Sequence, residues 1–159
     1  MTVPVPRQGT DNSPAKELCQ GRHAGGSTTT LTAGSLIEVV ISGGAPHGGG
    51  GCLFSLSYDG GHTFKVISST DKSCPINHNY QVMIPQNAPS GNAVFAWSWV
   101  PVLSGQPEYY MNCADVTIVG GNGSGFNGPN LPIYNMPGSS TIYSSDPQRF
   151  IGLTDIVHV

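Results

Sequence analysis

The chain has 159 residues, enough for one domain that buries about two-thirds of the surface of its unfolded form. Only 9% of the residues are charged, against about 25% in an ordinary soluble domain. Six basic residues and a net charge of -3 exclude the basic surface that nucleic-acid binding requires. No stretch is apolar and long enough to cross a bilayer, so we expect neither nucleic acid nor a membrane as a partner.

Composition also indicates the fold class. The 22 glycines and 13 prolines make up more than a fifth of the chain, and no window shows a sustained 3.6-residue apolar period. Both features favour an all-β protein. We predict an antiparallel β-sandwich of the immunoglobulin or fibronectin type, with long loops and an extended C-terminal tail. A barrel is the alternative.

The first third of the chain contains one predicted strand and one unusual loop. Residues 1–35 are expected to be irregular and to wrap the sandwich. Residues 36–42 form the first clear strand. The glycine-rich loop 43–51 follows this strand and carries His47.

The central part of the chain contains five further predicted strands. Residues 52–58 alternate in side-chain direction, and the Asp-Gly-Gly turn that follows them should return the chain through residues 63–68 as a hairpin. The remaining strands are predicted at residues 80–84, 93–99 and 113–119. In strand 52–58, one face carries Cys52, Phe54, Leu56 and Tyr58, and the other carries Leu53, Ser55 and Ser57. In strand 93–99, Trp97 and Trp99 share one face with Phe95 and are expected to be core anchors.

Two regions are predicted from the change in composition near residue 120. Residues 1–119 form the sandwich domain. Residues 120–159 form a Gly-rich connector and a C-terminal tail. The tail carries the apolar residues Phe150, Ile151, Leu153, Ile156 and Val157, so we expect it to pack on its own domain or on a neighbouring one.

The four cysteines favour disulfides over a metal site. Cys19, Cys52, Cys74 and Cys113 are spaced too widely for a zinc site, which would contain close pairs. Disulfides indicate an oxidising compartment. The first twenty residues contain no leader of the usual type. We therefore expect an intracellular, for example vacuolar, location for the chain as it stands, and secretion if a leader was trimmed.

Several motifs carry a family resemblance, which covers about residues 36–119. They are Ala45-Pro46-His47 with the glycines that lead to Cys52, Ser55-Leu56-Ser57-Tyr58-Asp59, Phe64-Lys65-Val66-Ile67, Cys74-Pro75, Ile84-Pro85, Ala88-Pro89-Ser90-Gly91, Phe95-Ala96-Trp97-Ser98-Trp99 and Tyr110-Met111-Asn112-Cys113-Ala114. In this order they resemble the chitin-active fungal lytic polysaccharide monooxygenases of auxiliary-activity family eleven.

The resemblance implies a copper site. In that family an N-terminal histidine supplies its amine and its imidazole, an internal histidine supplies a third nitrogen, and a tyrosine is axial. This set of ligands suits Cu(II). The internal ligand matches His47 and the axial residue matches Tyr110, whereas Met1 has an amine and no imidazole. Without the family pattern, His47 would be a polar loop residue, and Tyr110 would pack with its hydroxyl satisfied.

The resemblance also implies a disulfide pairing. It joins Cys52 to Cys74 and Cys19 to Cys113, and such bonds would stabilise the sandwich. A different pairing, with cysteines that link separate molecules, remains open from the residues alone.

Two functions from different classes follow. The incomplete copper site and the low charge favour a non-catalytic structural protein with no cofactor, whose partner is itself, in a homo-oligomer or a lattice that can be disulfide-linked. Here the chain resembles the crystal-forming vacuolar proteins of fungi. The alternative is a copper-dependent monooxygenase that oxidises chitin, if a mature N-terminal histidine exists. A third class, a polysaccharide-binding module without catalysis, would need exposed aromatic residues near His47.

Overall fold

The computed structural model describes residues 1–25, 29–143 and 157–158. This part of the chain is all-β, with a short 3₁₀ turn and no helix that could span a membrane. The 3₁₀ turn is Leu18–Gly21, and the strands are β1 (Thr29–Thr32), β2 (Leu36–Val40), β3 (Cys52–Ser57), β4 (Lys65–Ser69), β5 (Asn79–Met83), β6 (Gly91–Trp99), β7 (Tyr110–Val119) and β8 (Val157–His158).

The strands form the two sheets of a β-sandwich. The larger sheet has six strands in the order β1-β7-β6-β3-β4-β8, and the smaller sheet pairs β2 with β5. The predicted sandwich is thus confirmed. The central pairs are antiparallel, as predicted, but β1 lies parallel to β7 and β8 lies parallel to β4. The partners of both parallel pairs are distant in sequence, whereas the predicted antiparallel pairing relied on hairpins between neighbours.

The N-terminal segment is not wholly irregular, contrary to the prediction for residues 1–35. Residues 29–32 form β1, and Leu31 points into the core. Three of the four residues are threonines, which favour strands because they are β-branched. The sequence signal was hidden because this short run follows a stretch rich in glycine and serine.

The central strands of the large sheet, β3, β6 and β7, are largely buried on both faces. The expectation for residues 52–58 placed small polar side chains on one face, yet Ser55 and Ser57 are as buried as their apolar neighbours. One face packs against the small sheet. The other face is covered by chain from beyond residue 119, including Leu131, Met136 and Ile142. The packed core therefore continues past the strand that ends at residue 119.

Two disulfides join the loops to this core. Cys19 is bonded to Cys113 on β7, and Cys52 at the start of β3 is bonded to Cys74. This is the pairing that the resemblance implies, and it leaves no free cysteine. Of the apolar tail residues, Phe150, Ile151, Leu153 and Ile156 lie outside the described residues, whereas the backbone of Val157 belongs to β8.

Candidate metal centre

A pocket at one end of the sandwich brings together the two residues that the sequence singled out. It lies between the loop after β2 and the adjoining ends of β6 and β7. Its walls contain His47 and Tyr110 but no Asp, Glu, Lys or Arg. The described lining consists of Asn12, Ile41, Ser42, Gly43, Gly44, Ala45, Pro46, His47, Pro75, His78, Trp97, Trp99 and Tyr110.

The loop holds His47 in an uncommon conformation. Its φ of 46° lies in the left-handed region, which costs a non-glycine residue about 1–2 kcal/mol. Hydrogen bonds from outside hold the loop in place: Leu103 N–H donates to the His47 carbonyl at 2.8 Å, and both Val102 N–H (2.8 Å) and the Trp99 indole N–H (3.3 Å) donate to the Gly49 carbonyl. The imidazole is stacked on Trp99, with ring centroids 5.9 Å apart, and lies 6.3 Å from the Tyr110 ring.

Tyr110 is placed by strand pairing. It lies on β7 directly opposite Trp99 on β6, because β7 begins at residue 110 and not at residue 113 as predicted. Its hydroxyl donates to Glu108 Oε2 at 2.7 Å. Burial and this carboxylate raise the pKa of Tyr110, so the group is an uncharged phenol at neutral pH. The expectation that Tyr110 is packed with its hydroxyl satisfied is confirmed.

Two polar residues of this region were missed by sequence reasoning. Glu108 is the partner of the Tyr110 hydroxyl, and its position two residues before the tyrosine could have suggested a shared face. His78 lines the pocket with its Nδ1 2.7 Å from the Ile41 carbonyl oxygen. Nothing in the sequence around His78 marked it, because its position depends on the pairing of β2 with β5.

The aromatic residues of the pocket are core residues. Trp97 and Trp99 are buried, as predicted, and Tyr110 is buried beside them. A polysaccharide-binding module without catalysis would need exposed aromatic rings here. Among the described residues that line the pocket there are none.

Comparison with known proteins identifies relatives of this chain. No protein-family model matches the chain. The AA11 family lytic polysaccharide monooxygenase A of Aspergillus fumigatus is 45% identical over 124 residues, which are 78% of this chain and 55% of that protein. The chain is a homologue of the family-eleven lytic polysaccharide monooxygenases. An AA11 family lytic polysaccharide monooxygenase of Aspergillus oryzae is 31% identical over 57% of this chain.

The monooxygenase homologue spans about half of the first relative and about a quarter of the second, at 55% and 26% of their lengths. Solved structures support the fold. A protein described as CvAA9A superposes with a TM-score of 0.55 at 14% identity, over 70% of this chain and 68% of that one. The extended catalytic domain of H. jecorina LPMO9A gives 0.53 at 18% identity, over 88% of this chain and 65% of that one. These likenesses show the sandwich of the lytic polysaccharide monooxygenases.

This homologue has only part of the ligand set that the family uses for a copper ion. His47 and Tyr110 would offer an imidazole nitrogen and a phenol oxygen. Burial lowers the pKa of the Met1 amine to about 5, so the amine is uncharged at neutral pH. However, the amine donates to Asn112 Oδ1 at 2.7 Å, and the Met1 side chain is buried in the core. In the described ranges, no three side chains of His, Cys, Asp or Glu form a metal-binding group.

Proposed function

We propose that the pocket around His47 and Tyr110 is a copper and polysaccharide site of the monooxygenase type, which acts on a β-linked polymer such as chitin. One observation carries the proposal. The internal histidine and the axial tyrosine, chosen from sequence motifs, meet in one pocket on a sandwich related to lytic polysaccharide monooxygenases. Copper, when bound in such a site, supplies the redox chemistry that activates oxygen or peroxide.

The residues of the chain would have separate tasks. His47 would supply a nitrogen ligand, and stacking on Trp99 limits the positions that its ring can take. Tyr110 would be a weak neutral oxygen ligand, since its hydroxyl keeps its proton and donates it to Glu108 Oε2. The Met1 side chain of the sequence as given adds no imidazole to that of His47.

Copper titration of this chain tests the site. Isothermal titration and electron paramagnetic resonance should detect a Cu²⁺ site whose dissociation constant rises at least about tenfold in His47→Gln, since the loss of groups that only support a ligand already costs 10- to 100-fold. His62→Gln is the matched control. His62 carries the same side chain on a different loop, where its Nδ1 is 2.6 Å from the Asp59 carbonyl oxygen, and it does not line the pocket. Equal affinity in the His47 and His62 variants would refute the site.

A second candidate function is ordered self-association into an oligomer or lattice, with no cofactor. It is favoured by a registered pair of exposed side chains on the small sheet: Leu36 on β2 lies opposite Met83 on β5. Low charge weakens the repulsion that would keep such surfaces apart. The intracellular location stays a prediction that belongs with this candidate.

Sedimentation velocity at high protein concentration tests self-association. We expect the chain to form species larger than a monomer, and Leu36→Ser with Met83→Ser to shift the distribution to the monomer. Leu103→Ser serves as the control, because Leu103 is also exposed but lies beside the His47 loop and not on the small sheet. A monomer at every concentration would exclude this function.

A further inference from the structure

The Gly-rich segment after β7 contains an acceptor motif for N-linked glycans. It reads Asn122-Gly123-Ser124, which is the Asn-X-Ser pattern with a middle residue other than proline. None of the other nine asparagines in the sequence is followed two positions later by serine or threonine. A three-residue motif also arises by chance, so its structural setting decides whether it can carry a glycan.

Two glycines determine which side of this segment faces the sandwich. A Cβ at Gly121 would collide with the carbonyl oxygen of Ala88, and a Cβ at Gly123 would collide with the carbonyl oxygen of Asn87. Only glycine lets the two backbones approach this closely. The middle residue of the motif is therefore fixed by packing, and the residues on either side of it are left to face solvent.

Backbone groups hold the segment and leave the acceptor side chain accessible. Asn122 N–H donates to the Gln86 carbonyl at 3.2 Å, and Gly121 N–H donates to Ser90 Oγ at 3.0 Å. Asn122 and Ser124 are both exposed and belong to neither a helix nor a strand. A modifying enzyme can thus reach the Asn122 amide and the Ser124 hydroxyl, and a bulky group on Asn122 displaces no packed side chain.

The disulfides place the chain in a suitable compartment. The bonds Cys19–Cys113 and Cys52–Cys74 are of the kind that forms in an oxidising environment, of which the lumen of the endoplasmic reticulum is one. N-linked glycans are attached in that same lumen. A glycan is also a solubilising surface group, which a chain with only 9% charged residues otherwise has little of.

We propose that Asn122 carries an N-linked glycan. The donor is an oligosaccharide linked to a lipid through a diphosphate, and the host's transferase catalyses the step. Asn122 Nδ2 forms a bond to C1 of the first sugar, the bond from that carbon to the diphosphate breaks, and the amide loses one proton. The lipid diphosphate is the leaving group, and this chain provides the acceptor.

The glycan would lie far from the candidate metal centre, so the inference is independent of the proposed function. Strand β7 has ten residues and begins at Tyr110, which lines the pocket. It ends at Val119, three residues before Asn122. At 3.2–3.4 Å per residue, the strand separates the two places by about 30 Å.

Intact-mass spectrometry of the whole chain, expressed in yeast behind a cleavable secretion leader, tests the assignment. The wild type should carry an oligosaccharide that peptide N-glycosidase removes. Asn122→Gln and Ser124→Ala should each lose the glycan almost completely, whereas Ser124→Thr keeps the hydroxyl and should retain it. Asn127→Gln is the matched control, because Asn127 is exposed in the same segment but is followed by Gly-Pro.

Non-reducing electrophoresis identifies the chains that reached the lumen by their Cys19–Cys113 bond. A glycan-free mass in these oxidised chains would overturn the inference. So would a glycan that persists in Asn122→Gln, or one that disappears in Asn127→Gln. Loss of the glycan in Asn122→Gln and Ser124→Ala alone supports the assignment, whatever the copper titration gives for His47.

Discussion

A chain in which Cys19 and Cys113 are both replaced by alanine is expected to lose about 4–5 kcal/mol of unfolding free energy, close to the limit that one disulfide provides. The reason is the length of the closed loop, since the two cysteines are 94 residues apart. In the chain-entropy model, a cross-link stabilises by restricting the unfolded chain, and the effect grows with this distance. Such a loss is comparable to the whole stability of a marginal domain.

In the folded state, the Cys19–Cys113 bond also holds the N-terminal segment on the large sheet. Cys19 belongs to the N-terminal segment, which lies alongside β7. Arg7 N–H of this segment donates to the Cys113 carbonyl at 2.7 Å, and Ala15 N–H donates to the Tyr109 carbonyl at 2.6 Å. The disulfide fixes this segment over the outer face of the large sheet, where both sulfurs are buried. Without it, hydrogen bonds and the Arg7–Asp115 ion pair would have to hold the segment alone.

Thermal unfolding followed by circular dichroism measures the effect. At about 2–4 °C per kcal/mol for a chain of this size, we expect the midpoint to fall by roughly 10–20 °C. The control replaces Cys52 and Cys74, which are 22 residues apart, and should cost about 3 kcal/mol. If the Cys52 and Cys74 variant proves the less stable of the two, local packing and not loop length determines how much each disulfide contributes to the free energy of unfolding.

The sequence was sufficient for the fold class because its strands are locally marked. The alternation after Cys52 and the Asp-Gly-Gly turn lead directly to β3 and β4, which are neighbours in the large sheet. The sequence was not sufficient for the parallel edges of that sheet. The place of β1 depends on contacts with β7, more than eighty residues away along the chain, and no local pattern expresses such a contact.

The candidate site likewise contains residues that the sequence could identify and residues that it could not. His47 and Tyr110 could be named because motif order marks them, and Glu108 could have been found from its spacing to Tyr110. His78 could not, because its place in the pocket depends on the pairing of β2 with β5, which forms only in the folded chain. Motif order and local spacing therefore identify His47, Tyr110 and Glu108, whereas residues that other parts of the chain bring to the pocket require the tertiary structure.

The ion pair between Arg7 of the N-terminal segment and Asp115 of β7 should be the second large contributor to stability. The side chains of Arg7 and Asp115 are 6% and 14% exposed. Arg7 Nε and Nη2 donate to Asp115 Oδ1 at 3.0 and 2.8 Å, and the guanidinium also donates to the carbonyls of Gly60 and Arg22. The second oxygen, Asp115 Oδ2, accepts from the Gly25 N–H at 3.1 Å.

Asp115→Ala is expected to cost about 3–5 kcal/mol, because it leaves a buried guanidinium without a counter-charge. Asp11→Ala is the matched control: it breaks the Arg22–Asp11 pair at 3.0 Å, whose side chains are 22% and 23% exposed. A pair that solvent reaches contributes only about 0–1 kcal/mol. Urea unfolding compares the two variants, and Arg7→Met combined with Asp115→Leu should recover most of the loss, because it removes both charges. If Asp115→Ala costs no more than Asp11→Ala, water reaches the Arg7 guanidinium and the pair is not a buried one.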